Sequence, residues 1–350
     1  MAEASNFLIG ANDEHGLNPP TIGKRTPTLP YINRVVYENE FNRVAKHYFI
    51  IACLRCGFRV YDVKPEITDT SVSTRVARVN SRGVSLLVTF AYNAYGDGTS
   101  FTSPDGYIVF YSREGFRPTQ SRLLAYDVSA GLKTTMTTDN LGVGTLTGVG
   151  VLSSVRCPSV LLECGFMTNL AEAKLMLDDE HALNAGEGAC KGVCEYLDVP
   201  YIAPSAVYAT LRRGSRGNTV AILQYILRRY GYDIAPDGVF GSRTEAAVKN
   251  YQAENGLTAD GIVGRNTWIS LNRAWSVPPT VRRGSRGMAV KYLQSKLASK
   301  LYYGGAQDGI FGSGTERAVR EFQSENGLAV DGIAGRNTFL ALRPIGGGRT

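Results

Sequence analysis

The sequence predicts an α/β domain with a mostly parallel twisted sheet flanked by helices, followed by two small all-α domains of three helices each. Three observations support this. Strand-like and helix-like stretches alternate through the first 200 residues. A roughly 60-residue stretch that opens on RRGSRG is then repeated. Composition also changes between the two parts. All six cysteines lie in the first, which carries 18 Lys+Arg against 21 Asp+Glu, whereas residues 201–350 carry 20 against 10. The 350 residues leave room for two or three domains, each able to bury a core. With 43% hydrophobic and 20% charged residues, disordered and fibrous classes are excluded. No apolar run approaches the ~20 residues of a membrane-spanning helix, so membrane insertion is not expected.

In chain order, NFLIG reads as a first strand, Glu38–Cys56 as a helix, GFRVYDV as a strand and Ser73–Ser81 as a helix. SLLVTF, GYIVFYS and PSVLLECGF follow as strands, then AEAKLMLDD and ALNAGEGACKGVCEYL as helices. Such alternation builds one sheet with crossover helices. The expected divisions are an α/β domain over 1–200, a linker over 201–210, a first repeat over 211–271, a linker over 272–280 stiffened by Pro278 and Pro279, and a second repeat over 281–343.

Each repeat reads as short helices joined by tight turns. Val220, Leu223 and Leu227 recur as Val290, Leu293 and Leu297, and Ala247, Val248 and Tyr251 as Ala318, Val319 and Phe322. Asp-Gly pairs at Asp237, Asp260, Asp308 and Asp331 mark the turns. Thr244, Thr267, Thr315 and Thr338 fall near helix starts. The segments GxxGxxVxxLQ, DGxFGxxTxxAVxxFQ and GLxxDGIxGxxT together resemble the peptidoglycan-binding domain appended, often in tandem, to bacterial and phage cell-wall hydrolases. The resemblance implies bacterial peptidoglycan as the partner. It makes Arg212, Arg213 and Arg216, with their copies Arg282, Arg283 and Arg286, candidates for wall carboxylates or phosphates, although a solvated basic face fits these arginines as well. The basic second part could also suit nucleic acid, but no groove-reading motif or aromatic–basic stacking platform is visible, so nucleic-acid binding is not expected.

Cys53 and Cys56 form a CxxC in the apolar helical stretch FIIACLRCGF, without a second CxxC to complete a zinc site, and Cys190 and Cys194 share a helix face. Both pairs read as buried thiols. The opening MAEASNFLIGANDEHG has neither a basic start nor a long apolar block. The expectation is a product made in the cytoplasm that reaches the wall after release, by phage lysis, mother-cell lysis or a phage-tail-like particle.

Four polar spots stand at strand ends or helix starts: His15 in ANDEHG, Glu38 opening the first helix, the TFAYNA segment, and Glu163 in VLLECGF. A carboxylate inside an apolar run is costly to bury unless it is paired or metal-bound, which marks Glu163. His15 alone is balanced between a ligand and a loop histidine, and Glu38 alone reads as a solvated acid at a helix N-terminus. Together they resemble the zinc-dependent N-acetylmuramoyl-L-alanine amidase family in its AmiC/CwlB-like form, from about Phe7 to Leu197. NDEHG supplies His15, Glu38 with Asn42 fits the second ligand position, Arg75 and Asn80 match an R-x-x-x-x-N helix, and PSVLLECGFMTN ends the domain with Glu163.

The resemblance implies a zinc ion held by His15, Glu38 and a third ligand, and Glu163 as catalytic acid/base. Such a site uses three protein ligands and leaves a position for water. The bond cut would be the amide between the lactyl group of N-acetylmuramic acid and L-alanine. The third ligand belongs to a Ser-Ile-His-x-Asn-Ala segment, but here the chain reads Thr-Phe-Ala-Tyr-Asn-Ala, with Ala91 in the ligand's place. His47, within the first helix, and His181, expected in a helix–helix connection, are poor replacements. The chain is therefore expected to bind zinc weakly and to be inactive or severely impaired. Two origins fit the alanine. One is a histidine replaced in an otherwise intact site, favoured by the retained His15, Glu38, Glu163 and Tyr92-Asn93-Ala94. The other is a natural non-catalytic wall-binding protein with an amidase-like body.

Overall fold

The computed structural model describes residues 2–16, 25–30, 35–66, 68–204, 208–230, 232–273, 280–286, 288–300, 302–306 and 308–342. It divides into two compact units, Met1–Pro204 and Ser205–Thr350. Pro278 and Pro279 of the expected linker lie outside the described residues.

In the first unit, β1 (Leu8–Asp13), β2 (Arg59–Asp62), β3 (Leu86–Asn93), β4 (Tyr107–Tyr111), β5 (Asn140–Thr145) and β6 (Ser159–Phe166) form one sheet of order β2-β1-β3-β6-β4-β5. All neighbours are parallel except β4 and β6, which run antiparallel. Helices α1 (Glu38–Arg55), α3 (Pro118–Lys133) and α6 (Asp179–Tyr196) pack together on one face, and α2 (Val72–Arg82) with the short α4 (Gly150–Ser153) on the other. A six-residue α5 (Leu170–Leu175) follows β6. The expected strands and helices are present. The edge strand β5 and helices α3 and α4 were not anticipated. β5 reads NLGVGT, too rich in glycine to carry a strand signature, and α3 interrupts its apolar stripe with Ser129 and Gly131.

Local chemistry sets the helix ends. The Glu40 side chain accepts from Tyr37 N (3.0 Å) at the start of α1, Pro118 occupies the first turn of α3, and Ser71 caps α2 by accepting from Thr74 N. Helix α1 buries Phe41, Ala45, Tyr48, Phe49 and Ala52, a stripe at helical spacing. Glycines let α6 come close to both of its neighbours. A Cβ at Gly186 would sit 2.6 Å from Phe49 N, and one at Gly192 would sit 2.3 Å from Val128 Cα. No described helix is long and apolar enough to cross a membrane.

In the second unit, α7 (Asn218–Arg229), α8 (Ser242–Glu254) and α9 (Arg265–Arg273) form the first repeat, and α10 (Met288–Ser299), α11 (Ser313–Glu325) and α12 (Arg336–Leu342) the second. The Asp-Gly turns owe their geometry to four buried glutamines. Gln252 Nε2 donates to Asp260 Oδ1, Ile262 O and Thr267 Oγ1, while its Oε1 accepts from Gly261 N. Gln224, Gln294 and Gln323 repeat this pattern around Asp237, Asp308 and Asp331. Each Asp carboxylate also accepts from the amide two residues on, and the intervening glycine takes a positive φ, 77° at Gly261. The sequence reading gave the threonines to helix starts without finding their glutamine partners.

Gln252→Ala would strand the Gly261 amide and remove the donor that ties Asp260, Ile262 and Thr267 together. A loss of about 1–3 kcal/mol from the first repeat is expected. It would be read as an earlier denaturation transition in the emission of the fully buried Trp268.

Candidate active site

The three central strands β1, β3 and β6 bring three of the four polar spots to one edge of the sheet. His15 follows β1 and takes φ 58°, a left-handed conformation unusual for a residue with a side chain. The loop is held in place by Asn39 Nδ2, which donates to Asp13 Oδ2 (2.7 Å), Glu14 O (3.2 Å) and His15 O (2.8 Å). Arg75 supports the loop from α2, pairing with Glu14 (3.0 Å) and Asp69 (3.0 Å). Asn80, the other residue of that helical motif, instead ties α2 to the α4–β6 connection through Ser154 O and Arg156 N.

Glu38 is the first residue of α1 and is buried. Its Oε1 accepts from Asn42 Nδ2 (2.9 Å) and from Tyr92 N (3.0 Å), and its Oε2 lies 3.5 Å from His15 Nε2. Two donors bound tetrahedrally to one zinc at about 2.0–2.2 Å stand about 3.4 Å apart. The pair therefore fits such an ion at two points. Among the described residues, no third His, Cys or carboxylate donor completes a group with them. The three-ligand arrangement is not met.

Ala91 and Glu163 are register partners on β3 and β6 and so project from the same face of the sheet. Immediately after them the register slips, Asn93 pairing with Phe166, which leaves a bulge in β6 at Cys164-Gly165. Glu163 is half-buried in an otherwise buried strand. Ala91 is only 3% exposed and belongs to an apolar cluster with Leu87, Val79, Val151 and Leu161. Its methyl is covered rather than set beside a gap open to solvent.

Beneath the loop lies a charged layer that the sequence reading did not identify. Asp13 is fully buried and pairs with Lys46 of α1 and with Lys64 (3.2 Å). Burial alone would raise the Asp13 carboxyl, but the Lys46, Lys64 and Arg43 cations hold it below its ordinary value. Glu14 moves the other way, raised by burial despite Arg75. A signal for this layer was present. Asp13 ends the apolar run LIGAND just as Glu163 ends its own, and Lys46 lies at helical spacing from Asn39 and Asn42.

His47 lies within α1 as expected. His181 lies in the first turn of α6, not in a connection between helices, because Asp178 caps that helix by accepting from Glu180 N. Its Nε2 is 3.4 Å from Tyr92 Oη, and its ring packs on Phe41. Burial pushes His181 down to about 4. Its unfolded value is near 6.5, so between those limits the unfolded chain binds more protons. Stability is therefore full above about pH 6.5 and declines towards pH 4, by up to about 3 kcal/mol. His181→Gln should flatten the dependence of Tm on pH between 7 and 5.

The six arginines are all exposed. Arg213 and Arg283 each lie 3.5 Å from a carboxylate of their own repeat, Glu245 and Glu316. Arg216 and Arg286 sit in short bridges to Val239 and Ile310. The two repeats thus present the same basic edge.

Comparison with known proteins agrees with this architecture. The N-acetylmuramoyl-L-alanine amidase family matches residues 26–195, and a putative peptidoglycan binding domain matches 216–271 and 286–342. A probable N-acetylmuramoyl-L-alanine amidase of Bacillus licheniformis is 34% identical over 151 residues, 37% of this chain and 43% of that protein. The N-acetylmuramoyl-L-alanine amidase CwlM of Mycobacterium tuberculosis is 36% identical over 125 residues, 31% of this chain and 30% of that protein. The chain thus spans less than half the length of these relatives. The crystal structure of an N-acetylmuramoyl-L-alanine amidase from Clostridium difficile 630 has a TM-score of 0.47 at 23% identity, covering 56% of this chain and 98% of that one. The first unit thus carries an N-acetylmuramoyl-L-alanine amidase domain, matched over residues 26–195, and two putative peptidoglycan-binding domains follow it.

Proposed function

We propose that the chain is built to act on bacterial peptidoglycan at the amide joining the lactyl group of N-acetylmuramic acid to L-alanine, and that Ala91 leaves it inactive or severely impaired. The observation that supports this most is the pairing of His15 Nε2 with Glu38 Oε2 at 3.5 Å, one strand away from the neighbours Ala91 and Glu163. His15 and Glu38 offer two donors to a zinc ion, and Ala91 stands where the third belongs. When fully bound, such an ion lowers the pKa of a water molecule to about 7 and polarises the scissile carbonyl. On this reading Glu163 would take a proton from the attacking water and deliver it to the departing amine of L-alanine. Asn39, Asn42 and Arg75 position the two donors, Asn42 by fixing the Glu38 carboxylate and the others by fixing the His15 loop.

The two repeats would hold the chain on the wall through the edge bearing Arg212, Arg213, Arg216, Arg282, Arg283 and Arg286. Two weak sites on a short linker gain avidity on a repeating polymer. A second reading, a wall-binding protein whose amidase body no longer reacts, is favoured by the covered methyl of Ala91. The deciding experiment incubates the Ala91→His protein with purified sacculi and zinc, and measures newly exposed N-terminal L-alanine. Its appearance supports the hydrolase reading. If none is released by protein that binds sacculi, the non-catalytic reading stands.

A further inference from the structure

The sequence offers two separate cysteine pairs, and the fold brings them together. Helices α1 and α6 run side by side in the same direction, with His181 against Phe41, Gly186 against Phe49 and Cys190 against Cys56. The bare glycines of α6 permit this approach. The CxxC at the end of α1 therefore meets the C-x-x-x-C of α6. The sulfurs of Cys56, Cys190 and Cys194 all lie within 4.8 Å of one another, and the buried Cys53 stands three residues before Cys56 in the chain. We propose that Cys56, Cys190 and Cys194, with Cys53 beside them, form a thiolate site for one soft divalent metal ion, a structural zinc centre separate from the candidate active site.

The spacing of the sulfurs suits a tetrahedral ion. Sulfurs bound tetrahedrally to zinc at about 2.3 Å stand about 3.8 Å apart, and Cys56 Sγ lies 3.8 Å from Cys190 Sγ. A disulfide would need about 2.05 Å. The remaining cysteines show what an isolated buried thiol looks like. Cys157 is pushed up to about 12 by burial, and Cys164 is also raised. Within the cluster, burial raises Cys53 and Cys190, and Cys194 is raised too, so only Cys56 is lowered; its sulfur accepts from Ile202 N at 3.3 Å. Arg55 supplies positive charge beside it. The Ile202 amide donates to the Cys56 sulfur, an arrangement suited to the thiolate, the form in which cysteine binds a metal.

The site would act as a clasp. The segment after α6 crosses the cluster at Ile202, whose carbonyl accepts from Arg55 Nε (2.7 Å), while Tyr201 Oη donates to Glu187 (2.7 Å). Binding a metal would lock the end of α1, the end of α6 and this exit segment into one unit. The three sulfur-bearing residues are almost fully buried, so the ion would enter as the domain folds and would stabilise it. Glu38 and Cys56 stand at opposite ends of α1, about 27 Å apart for 18 residues. The two metal sites can therefore be assayed independently.

The test uses the full chain, purified reduced and loaded with Co2+. A sulfur-to-cobalt charge-transfer band is expected, which His and carboxylate ligands do not produce. The band should persist in Glu38→Ala and vanish in Cys56→Ser and in Cys190→Ser. In case those serine variants fold poorly, the unaltered zinc-loaded protein is titrated with a mercurial reagent, and about one zinc per chain should be released as the first three or four thiols react. The proposal is overturned if no metal is retained while all six cysteines titrate as free thiols on denaturation. It is equally overturned if only four titrate, which would reveal a disulfide, or if the cobalt band survives both serine substitutions.

Discussion

On the proposed reading, Ala91→His is expected to release N-terminal L-alanine from sacculi in a zinc-dependent reaction that the unaltered chain performs weakly or not at all. His15 and Glu38 already stand at the separation of two tetrahedral ligands. Asn42 and Tyr92 N hold the Glu38 carboxylate, and Asn39 holds the His15 backbone, so the added imidazole would meet a prepared pair. Losing a single outer-shell partner of a metal ligand costs about 10–100-fold in affinity or activity. Supplying a missing ligand should raise zinc affinity by more than that, measurable by competition with a chelating dye. Activity and affinity should then respond differently to a second change. Glu163→Gln in the Ala91→His background should keep the zinc and lose about 10²–10⁴ in rate. If Glu163→Gln instead abolished zinc binding and left residual turnover unchanged, the proton-transfer role would be wrong. The covered methyl of Ala91 sets a cost, because the apolar neighbours around Leu87 and Leu161 must shift to admit the ring. The Ala91→His protein should therefore melt slightly lower without metal and higher with it.

The second large effect is expected at Asp13. Replacing it by alanine leaves the fully buried Lys64 ammonium without its carboxylate, while Lys46 keeps Asp62 at 2.7 Å. Breaking a buried charge network from one side costs about 3–5 kcal/mol, a large share of the ~5–15 kcal/mol that stabilises a typical domain. Asp13→Ala should therefore lower the thermal midpoint of the first unit sharply, or prevent its accumulation in soluble form. A change of under about 1 kcal/mol would show that water reaches these lysines. The pH dependence has a definite sign. Asp13 is held below its ordinary carboxylate value when folded, so its stabilising contribution is full at neutral pH and is lost as pH falls through that depressed value.

Much of this was legible from the sequence because it is local or repeated. Alternating apolar runs located β1 to β4 and β6, and self-similarity delimited the two repeats. Glu163 stands out in the sequence because a carboxylate in a buried strand violates the pattern around it, and Asp13 at the end of LIGAND violates the same pattern. β5 and α3 were not legible because glycines and polar residues break their periodicity, and their packing against β4 and α6 determines their form.

The sequence by itself determined which side chains were available: a histidine, two glutamates and an alanine at four marked positions, two cysteine pairs, and four Gln and Asp-Gly segments. Only the tertiary structure decided which of these meet. Parallel pairing of β1, β3 and β6 sets His15, Ala91 and Glu163 at neighbouring strand ends, and α1 carries Glu38 across to them. The glycine contacts of α6 bring Cys190 to Cys56 across 134 residues of chain. Spacing along a chain reports neighbours within one helix or strand. Contacts between elements depend on register and on how closely the backbones approach, and those are settled only when the core packs.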